Sequence, residues 1–333
     1  MFRISLHYTL QSHGKWSEEY RAFLDEAALA DGLGLSGIYV GEHHFSEDGW
    51  CPSPFVALGA AAAVTRRLRL VTDIVVLPLH NPFEVAEHVA VLDALSGGRA
   101  VLGVGLGYRR EEYDAFGASY RRRAEDYDSK LSAVRALLEG KSVRAGGMDL
   151  VTYPRPVQRP RPLIWVAAKS ELAVRRAAGR GDAWIMDPVT DISVLERRVR
   201  AYREEMGRLG KEVRDLPLRR EVFVSRSEAD LRRAEELMLR SYYEDYYRWG
   251  HLQDSEGREV DPREVPFKEI RDQVLSRFLV GTPAQVVEAV DEYRRRLGIT
   301  ELVAKMSFPG ITHDMRSSAI ELLAREVLPG LED

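Results

Sequence analysis

Short apolar runs alternate with longer amphipathic ones from one end of this chain to the other, and that alternation limits the fold more than any single motif. Residues 2–10 (FRISLHYTL) read as a strand and 17–34 as a helix, with Ser17 the expected cap and Gly34 just past its end. Strand 35–43 leads to helix 54–65, and strand 68–78 to helix 81–98, where Asn81 is the expected cap and Pro82 takes the first helical position. Strand 99–107 precedes a helical pattern through most of 109–138, strand 162–168 a helix from Ser170, and strand 182–187 a helix over 191–209. Strand 217–225 precedes a long helix, 227–249; helix 281–298, strand 301–308 and helix 313–329 close the chain. About eight βα repeats predict an α/β fold, a single (β/α)8 TIM barrel with insertions, as one domain over residues 1–333. An open doubly wound sheet rarely needs so many units. Two stretches, 140–161 and 250–273, are rich in charge, Pro or Gly and lack periodicity, so they read as excursions of the kind that serve as lids.

Composition excludes several classes. With 48 basic and 52 acidic side chains and a net charge of −4, nothing favours nucleic acid or an anionic membrane as partner. Cys51 is the single cysteine, which rules out an intramolecular disulfide and a cysteine zinc site. The start, MFRISLHYTLQSHGKW, lacks the pattern of a signal peptide, and no apolar run approaches the ~18 residues of a membrane span. The expectation is a soluble, cytoplasmic protein.

In a barrel of this kind chemistry sits at the C-terminal ends of the strands. Alternation along 35–43 turns Ile38 and Val40 towards the helices and Tyr39, Gly41 and His43 inward, with His43 highest. Along 99–107, Leu102 and Val104 face the helices while Gly103, Gly105 and Gly107 leave the inward face bare, as a broad flat ligand would require. The letters GVGLGY lack the spacing of a dinucleotide fingerprint. Because adjacent strand residues face opposite ways, His43 and His44 of GEHHF (41–45) are not expected to share one metal. Three readings of His43 stay open: a metal ligand with Asp73, His7 or His313, a structural histidine, or a general base or hydrogen-bond donor at the mouth.

The stretches GEHHFSEDGWCPSPFVALGA, LRLVTDIVVLPLHNPFEVAEHVAVLDALSGGRAVLGVGLGYRREEYDAFG, IWVAAKSELAVRRAAGRGDAWI and the C-terminal FLVGTPAQVVEAV…REVLP resemble the bacterial luciferase-like monooxygenases, which are flavin-dependent TIM barrels. The resemblance covers nearly all the chain except the two excursions. It implies a two-component reaction: a separate flavin reductase supplies reduced FMN, which reacts with O2 to a C4a-peroxyflavin that oxidises a small organic substrate. It implies His43 beside the flavin as catalytic base or donor, with His44 in a packing or supporting role. It puts Thr72, Asp73 and Ile74 where relatives pass the backbone close to the flavin ring, sometimes through a non-prolyl cis peptide.

Ser170 matches the position of a phosphate contact, which a helix N-terminus favours independently, and Lys169 beside it could add charge. Gly105 and Leu106 stand where luciferase itself has a reactive cysteine and a phosphate-binding arginine; Arg123, in the run Arg121-Arg122-Arg123, is the expected replacement for that arginine, a surface patch its alternative. Glu87 falls at a subunit-interface position, so a homodimer through 54–65 and 82–95 is expected, though these faces could equally be buried against the barrel. Trp50, Tyr108 and Tyr113 are the expected mouth residues, covered by 250–273. Two alternatives accompany this reading: hydride transfer with the deazaflavin F420, used by a sister branch, and flavin binding without turnover. A metal hydrolase is the remaining option. No metal site is assigned.

Overall fold

The computed structural model describes residues 1–332. The elements run β1 (Arg3–Tyr8), α1 (Trp16–Leu33), β2 (Gly37–Val40), α2 (Pro54–Val64), β3 (Arg69–Thr72), β4 (Val75–Val76), α3 (Pro82–Ser96) and β5 (Ala100–Gly105). Then come α4 (Arg110–Ala115), α5 (Arg123–Leu138), the hairpin β6 (Val143–Ala145) and β7 (Met148–Leu150), β8 (Leu163–Ala168), α6 (Glu171–Arg180), β9 (Ala183–Met186) and α7 (Ile192–Arg208). The chain ends with β10 (Pro217–Val224), α8 (Glu228–Ser241), α9 (Phe267–Leu275), β11 (Leu279–Gly281), α10 (Pro283–Leu297), β12 (Glu301–Lys305) and α11 (His313–Leu322). Strands β12, β1, β2, β3, β5, β8, β9 and β10 pair in parallel around a ring that closes where β10 meets β12. This is the expected TIM barrel. No helix among the described residues is long and apolar enough to cross a membrane.

Strand alternation separates two cores. Ile38, Val40, Leu102 and Val104 join the outer layer between strands and helices. Tyr39, Val71, Val101, Trp165, Ile185 and Val303 fill the barrel itself. Both strand directions read from the sequence hold. Asn81 accepts from the Phe83 N–H at 2.9 Å, and Gly34 takes the left-handed φ of 86° that ends α1.

Elsewhere the elements break where the sequence pattern ran on. α1 begins at Trp16 after Lys15, so Ser17 lies inside the first turn and caps nothing. The 227–249 helix changes at Tyr242–Tyr247 into a wider π turn, which buries Tyr242, Tyr246 and Tyr247. The 109–138 stretch divides into α4 and α5. The first excursion carries the β6–β7 hairpin, and the second ends in α9. Strand 68–78 stops at Thr72; the Asp73–Ile74 peptide is cis and β4 resumes beyond it.

The upper barrel interior is charged: His7, Arg219, Glu221 and Lys305 are all buried there. The Lys305 ammonium has no hydrogen-bond partner and lies over the faces of Phe308 (4.4 Å) and Trp50 (5.0 Å). Burial pulls its pKa down to about 8, with Glu221 opposing and Arg219 reinforcing the shift. Between pH 8 and the ordinary 10.5 the folded chain releases this proton while the unfolded chain keeps it, so stability contributed by this group rises with pH. Urea denaturation of Lys305→Met against the parent chain should therefore show a stability difference at pH 7.5 that shifts in the parent's favour by pH 10; a difference independent of pH would contradict this.

A second prediction concerns Gly103. A Cβ there would stand 2.0 Å from the Thr72 carbonyl oxygen, whereas a Cβ on Gly32 would meet nothing within 4 Å. Gly103→Ala should cost about 1–3 kcal/mol, as overpacking does. Gly32→Ala should be neutral or stabilise by up to ~1 kcal/mol. Equal urea midpoints for the two variants would refute the constraint.

Candidate active site

At the C-terminal mouth a cavity of about 800 Å³ opens between the strand ends and the segment 246–259. Gly41 contributes absence: a Cβ there would lie 3.0 Å from the Asp73 carbonyl oxygen and 3.5 Å from Trp50 Nε1. The inward glycines of β5 and its exit do two different jobs. Thr72 Oγ1 donates to the Gly103 carbonyl (2.8 Å) and accepts from its N–H (2.9 Å), so Gly103 makes room for neighbouring backbone. Gly105 and Gly107 lie on the cavity, with Ile74 and Val76 pressed against them. Thr72, expected beside a cofactor, thus spends its side chain on β5 and does not line the cavity, whereas Asp73 does.

His43 stands buried at the wall, 7% exposed. Its Nδ1 lies 2.9 Å from Glu112 Oε1 and its Nε2 3.1 Å from the Tyr108 hydroxyl. Trp50, Tyr108 and Trp249 meet its ring edge to face, with centroids at 4.7, 5.2 and 5.3 Å. The Glu112 oxygen also accepts from the His44 N–H (2.9 Å) and from Arg109 (3.3 Å). Arg109 lies flat over Trp249 at 4.3 Å. A carboxylate at Nδ1 selects the tautomer with its proton there, so Nε2 is the basic nitrogen towards the cavity.

Asp73 faces the cavity from the turn. Burial raises its pKa, against the Arg219 charge and with help from Asp187. His7 is held well below its usual value by burial and by the charges of Arg219 and Lys305. Trp50 Nε1, Asp73 Oδ2 and Arg219 Nε are buried without a hydrogen-bond partner among the described residues, and all three residues line the cavity.

Arg123, Lys169 and Ser170 also line it. Ser170 caps α6 by accepting from the Ala173 N–H at 3.3 Å. Arg123 bonds the Tyr120 carbonyl at 2.8 Å and lies 4.0 Å over that ring. Lys169 is engaged by the second excursion, donating to the His251 carbonyl (2.9 Å) and pairing with Glu259 (3.2 Å). His251 in turn stacks on Tyr108 at 3.7 Å and reaches Asp187 at 3.6 Å. Burial opposes ionisation of Asp187, but His251 and the Lys169 charge outweigh it and hold the carboxyl far below the usual range.

Of the expected mouth residues, Trp50 and Tyr108 line the cavity, while Tyr113 is buried behind it, bonded to the Leu106 carbonyl. The sequence reading missed Glu112, Arg198, Arg219, Trp249 and His251. Glu112 left one weak signal, its spacing of three from Arg109 on a helical stretch. Arg219 left a better one, its place in the charged run Arg219-Arg220-Glu221 inside a strand that is buried throughout.

The metal ligands considered for His43 do not gather round it: His313 bonds Glu26 at 2.8 Å, and His7 sits against Asp73. His44 turns away from the cavity and meets Glu42 Oε1 at 2.9 Å, where His80 also arrives at 2.6 Å. Burial opposes ionisation of Glu42, but the two imidazoles and the Val76 N–H bring its pKa down to about 2.

With this geometry in place, comparison with known proteins is informative. The family described as luciferase-like monooxygenase matches residues 1–301. An uncharacterised protein of Sinorhizobium fredii is 29% identical over 209 residues, 61% of this chain and 60% of that one. The oxygenase component of the flavin-dependent trigonelline monooxygenase of Acinetobacter baylyi is 31% identical over 161 residues, 45% of this chain and 43% of its own length. The aligned stretches thus span about three-fifths or less of these curated relatives. Monooxygenase RslO1 of Streptomyces bottropensis has the same fold, with a TM-score of 0.85 at 25% identity, covering 98% of this chain and 99% of that one. The oxygenating constituent of 3,6-diketocamphane monooxygenase of Pseudomonas putida, solved with FMN, gives a TM-score of 0.81 at 19% identity over 99% of both chains. Two F420-dependent enzymes, a tetrahydromethanopterin reductase of Methanopyrus kandleri and a secondary alcohol dehydrogenase, share the fold at a TM-score of 0.75 and 16% identity. By the match over residues 1–301, the chain belongs to the luciferase-like monooxygenase family.

Proposed function

We propose that this chain is the oxygenase component of a two-component flavin system, receiving reduced FMN from a separate reductase and using O2 to oxidise a small organic substrate. The observation that carries this reading is His43, fixed between Glu112 and Tyr108 with Nε2 directed to an aromatic-walled cavity. The cavity residues fit a flavin: among the described residues, buried donors and acceptors on Trp50, Asp73 and Arg219 lack partners, and Gly41, Gly105 and Gly107 border the space without side chains of their own. Gly41, Asp73 and Gly105 would hold the ring system; Arg123, Ser170 at its helix terminus and Lys169 would hold the phosphate. When bound, reduced FMN would supply the electrons that activate O2.

The protein's own groups have separable tasks. His43 Nε2 takes or returns a proton at the substrate, while Glu112 at Nδ1 keeps the ring in the required tautomer. Trp50, Tyr108 and Trp249 keep water from the reacting atoms, and Arg109 fixes Trp249 from behind. The 246–259 segment closes over this arrangement through Lys169 and Asp187. A homodimer through α2 and α3, with Glu87 on that surface, accords with the exposure of Val56 (72%) and Leu95 (66%). A chain fed by a flavin reductase belongs in the cytoplasm with it.

Anaerobic titration of the apoprotein with reduced FMN, and separately with reduced F420, tests the cofactor. Saturable FMN binding followed by O2 consumption on admission of air is the expected result. Binding of F420 alone, without reaction with O2, would move the chain to hydride transfer, and tight binding of oxidised flavin without turnover would make it a flavin carrier. His43→Ala should lower kcat for substrate oxidation by about 10²–10⁴-fold while leaving reduced-FMN affinity within a few-fold. Undiminished turnover in that variant would remove His43 from the chemistry.

A further inference from the structure

The strand exit that carries His43 to the cavity carries a second group of side chains, in which Glu42 borders the cavity and His44 and His80 lie beyond it. Glu42, His44 and His80 present Oε1, Nε2 and Nε2, and these three atoms all lie within 4.8 Å of one another. Glu42 and His44 are buried; the His80 side chain is 26% exposed. Glu42 Oε2 is occupied by the Val76 N–H at 2.7 Å, which fixes the carboxylate and leaves Oε1 as the single oxygen facing both imidazoles.

We propose that Glu42, His44 and His80 form a binding site for one divalent transition-metal ion of the zinc class, separate from the flavin cavity chemistry. Two imidazoles and one carboxylate are a donor set that zinc accepts with a fourth, open position. Nitrogen and oxygen ligands about 2.0–2.2 Å from a tetrahedral ion stand roughly 3.3 Å apart. The present separations from Glu42 Oε1, 2.9 Å for His44 and 2.6 Å for His80, require openings of roughly 0.4 and 0.7 Å. Each ring must offer a bare Nε2, its proton moving to Nδ1 or to solvent. The exposed edge of His80 provides the entry path. Glu84 adds negative charge near His80, and Lys130, which donates to the Pro78 carbonyl at 2.6 Å, adds an opposing positive one.

The ion would join two chain segments that hydrogen bonds to Glu42 now link. Glu42 and His44 flank His43 in sequence, and His80 belongs to the turn that follows β4. A metal at this position would clamp the His43 loop to the turn without touching His43 itself, whose Nδ1 belongs to Glu112. The site therefore stands or falls independently of the oxygenase reading.

The test uses full-length chain without a histidine tag, stripped with chelator and titrated with Zn²⁺ by calorimetry and with Co²⁺ by visible absorption. One ion per chain and the intense visible bands of four-coordinate cobalt are expected. His80→Ala should weaken Zn²⁺ binding by at least about 100-fold, since loss of an outer-shell partner alone already costs 10–100-fold. His88→Ala should leave it unchanged, because the exposed His88–Glu84 pair is the obvious adventitious site. A pale six-coordinate cobalt spectrum, or equal affinity in His80→Ala and the parent chain, would overturn the proposal. If His80→Ala fails to fold, the cobalt spectrum of the parent chain decides.

Discussion

The contact on which the mouth of this barrel depends is the one between Thr72 and Gly103. Thr72 uses its hydroxyl to grip both backbone groups of Gly103, and its carbonyl occupies the volume a side chain would take there. Strand β3 is thereby drawn onto β5 at the level where the barrel interior ends. The chain can then leave the sheet, carry Asp73 over the opening and return as β4 with Ile74 and Val76 packed over Gly105 and Gly107. Glycine at these positions costs backbone entropy. That cost is offset by packing: the Thr72 carbonyl takes the side-chain volume at Gly103, and Ile74 and Val76 take it at Gly105 and Gly107.

A division by face governs GEHHF. Successive side chains leaving β2 take opposite sides, so two neighbouring histidines serve two environments. His43 goes to the cavity and to Glu112; His44 goes to the other side, where Glu42, still bordering the cavity, holds it together with His80. The backbone N–H of His44 nevertheless bonds the same Glu112 oxygen that holds His43. One carboxylate therefore orients the cavity histidine and pins the loop that carries it, and Arg109 balances its charge.

The fold was readable because each βα unit repeats the same change of period, and eight repetitions leave few topologies. Strand directions were readable for the same reason, since Ile38 and Tyr39 must part company whatever lies beyond. His43, Asp73, Gly105, Arg123, Lys169 and Ser170 come together on one cavity because barrel strands end at one rim. Periodicity could not reach residues whose placement depends on long-range closure. Trp249 and His251 follow the π turn, and nothing local says that this segment folds back onto Tyr108. Glu112 was hidden in a mixed run of charges, Arg109-Arg110-Glu111-Glu112. The tie from the Thr72 hydroxyl to Gly103 was out of reach because its partner is a backbone that no pattern identifies.

The cover over the cavity packs Tyr246, Leu252 and Val260 into an apolar cluster with Trp50 and Val189, and charges tie it to the rim. Lys169 sits at the start of α6, beside the helix terminus expected to attract an anion, yet its ammonium is committed to the His251 carbonyl and Glu259. His251 passes that tie on to Asp187 and, by stacking, to Tyr108, which is bonded to His43. A ligand phosphate that recruited Lys169 would compete with Glu259 for the same charge. On the proposed reading, cofactor binding and closure of the 246–259 segment would be coupled through one side chain, and the coupling would end at His43.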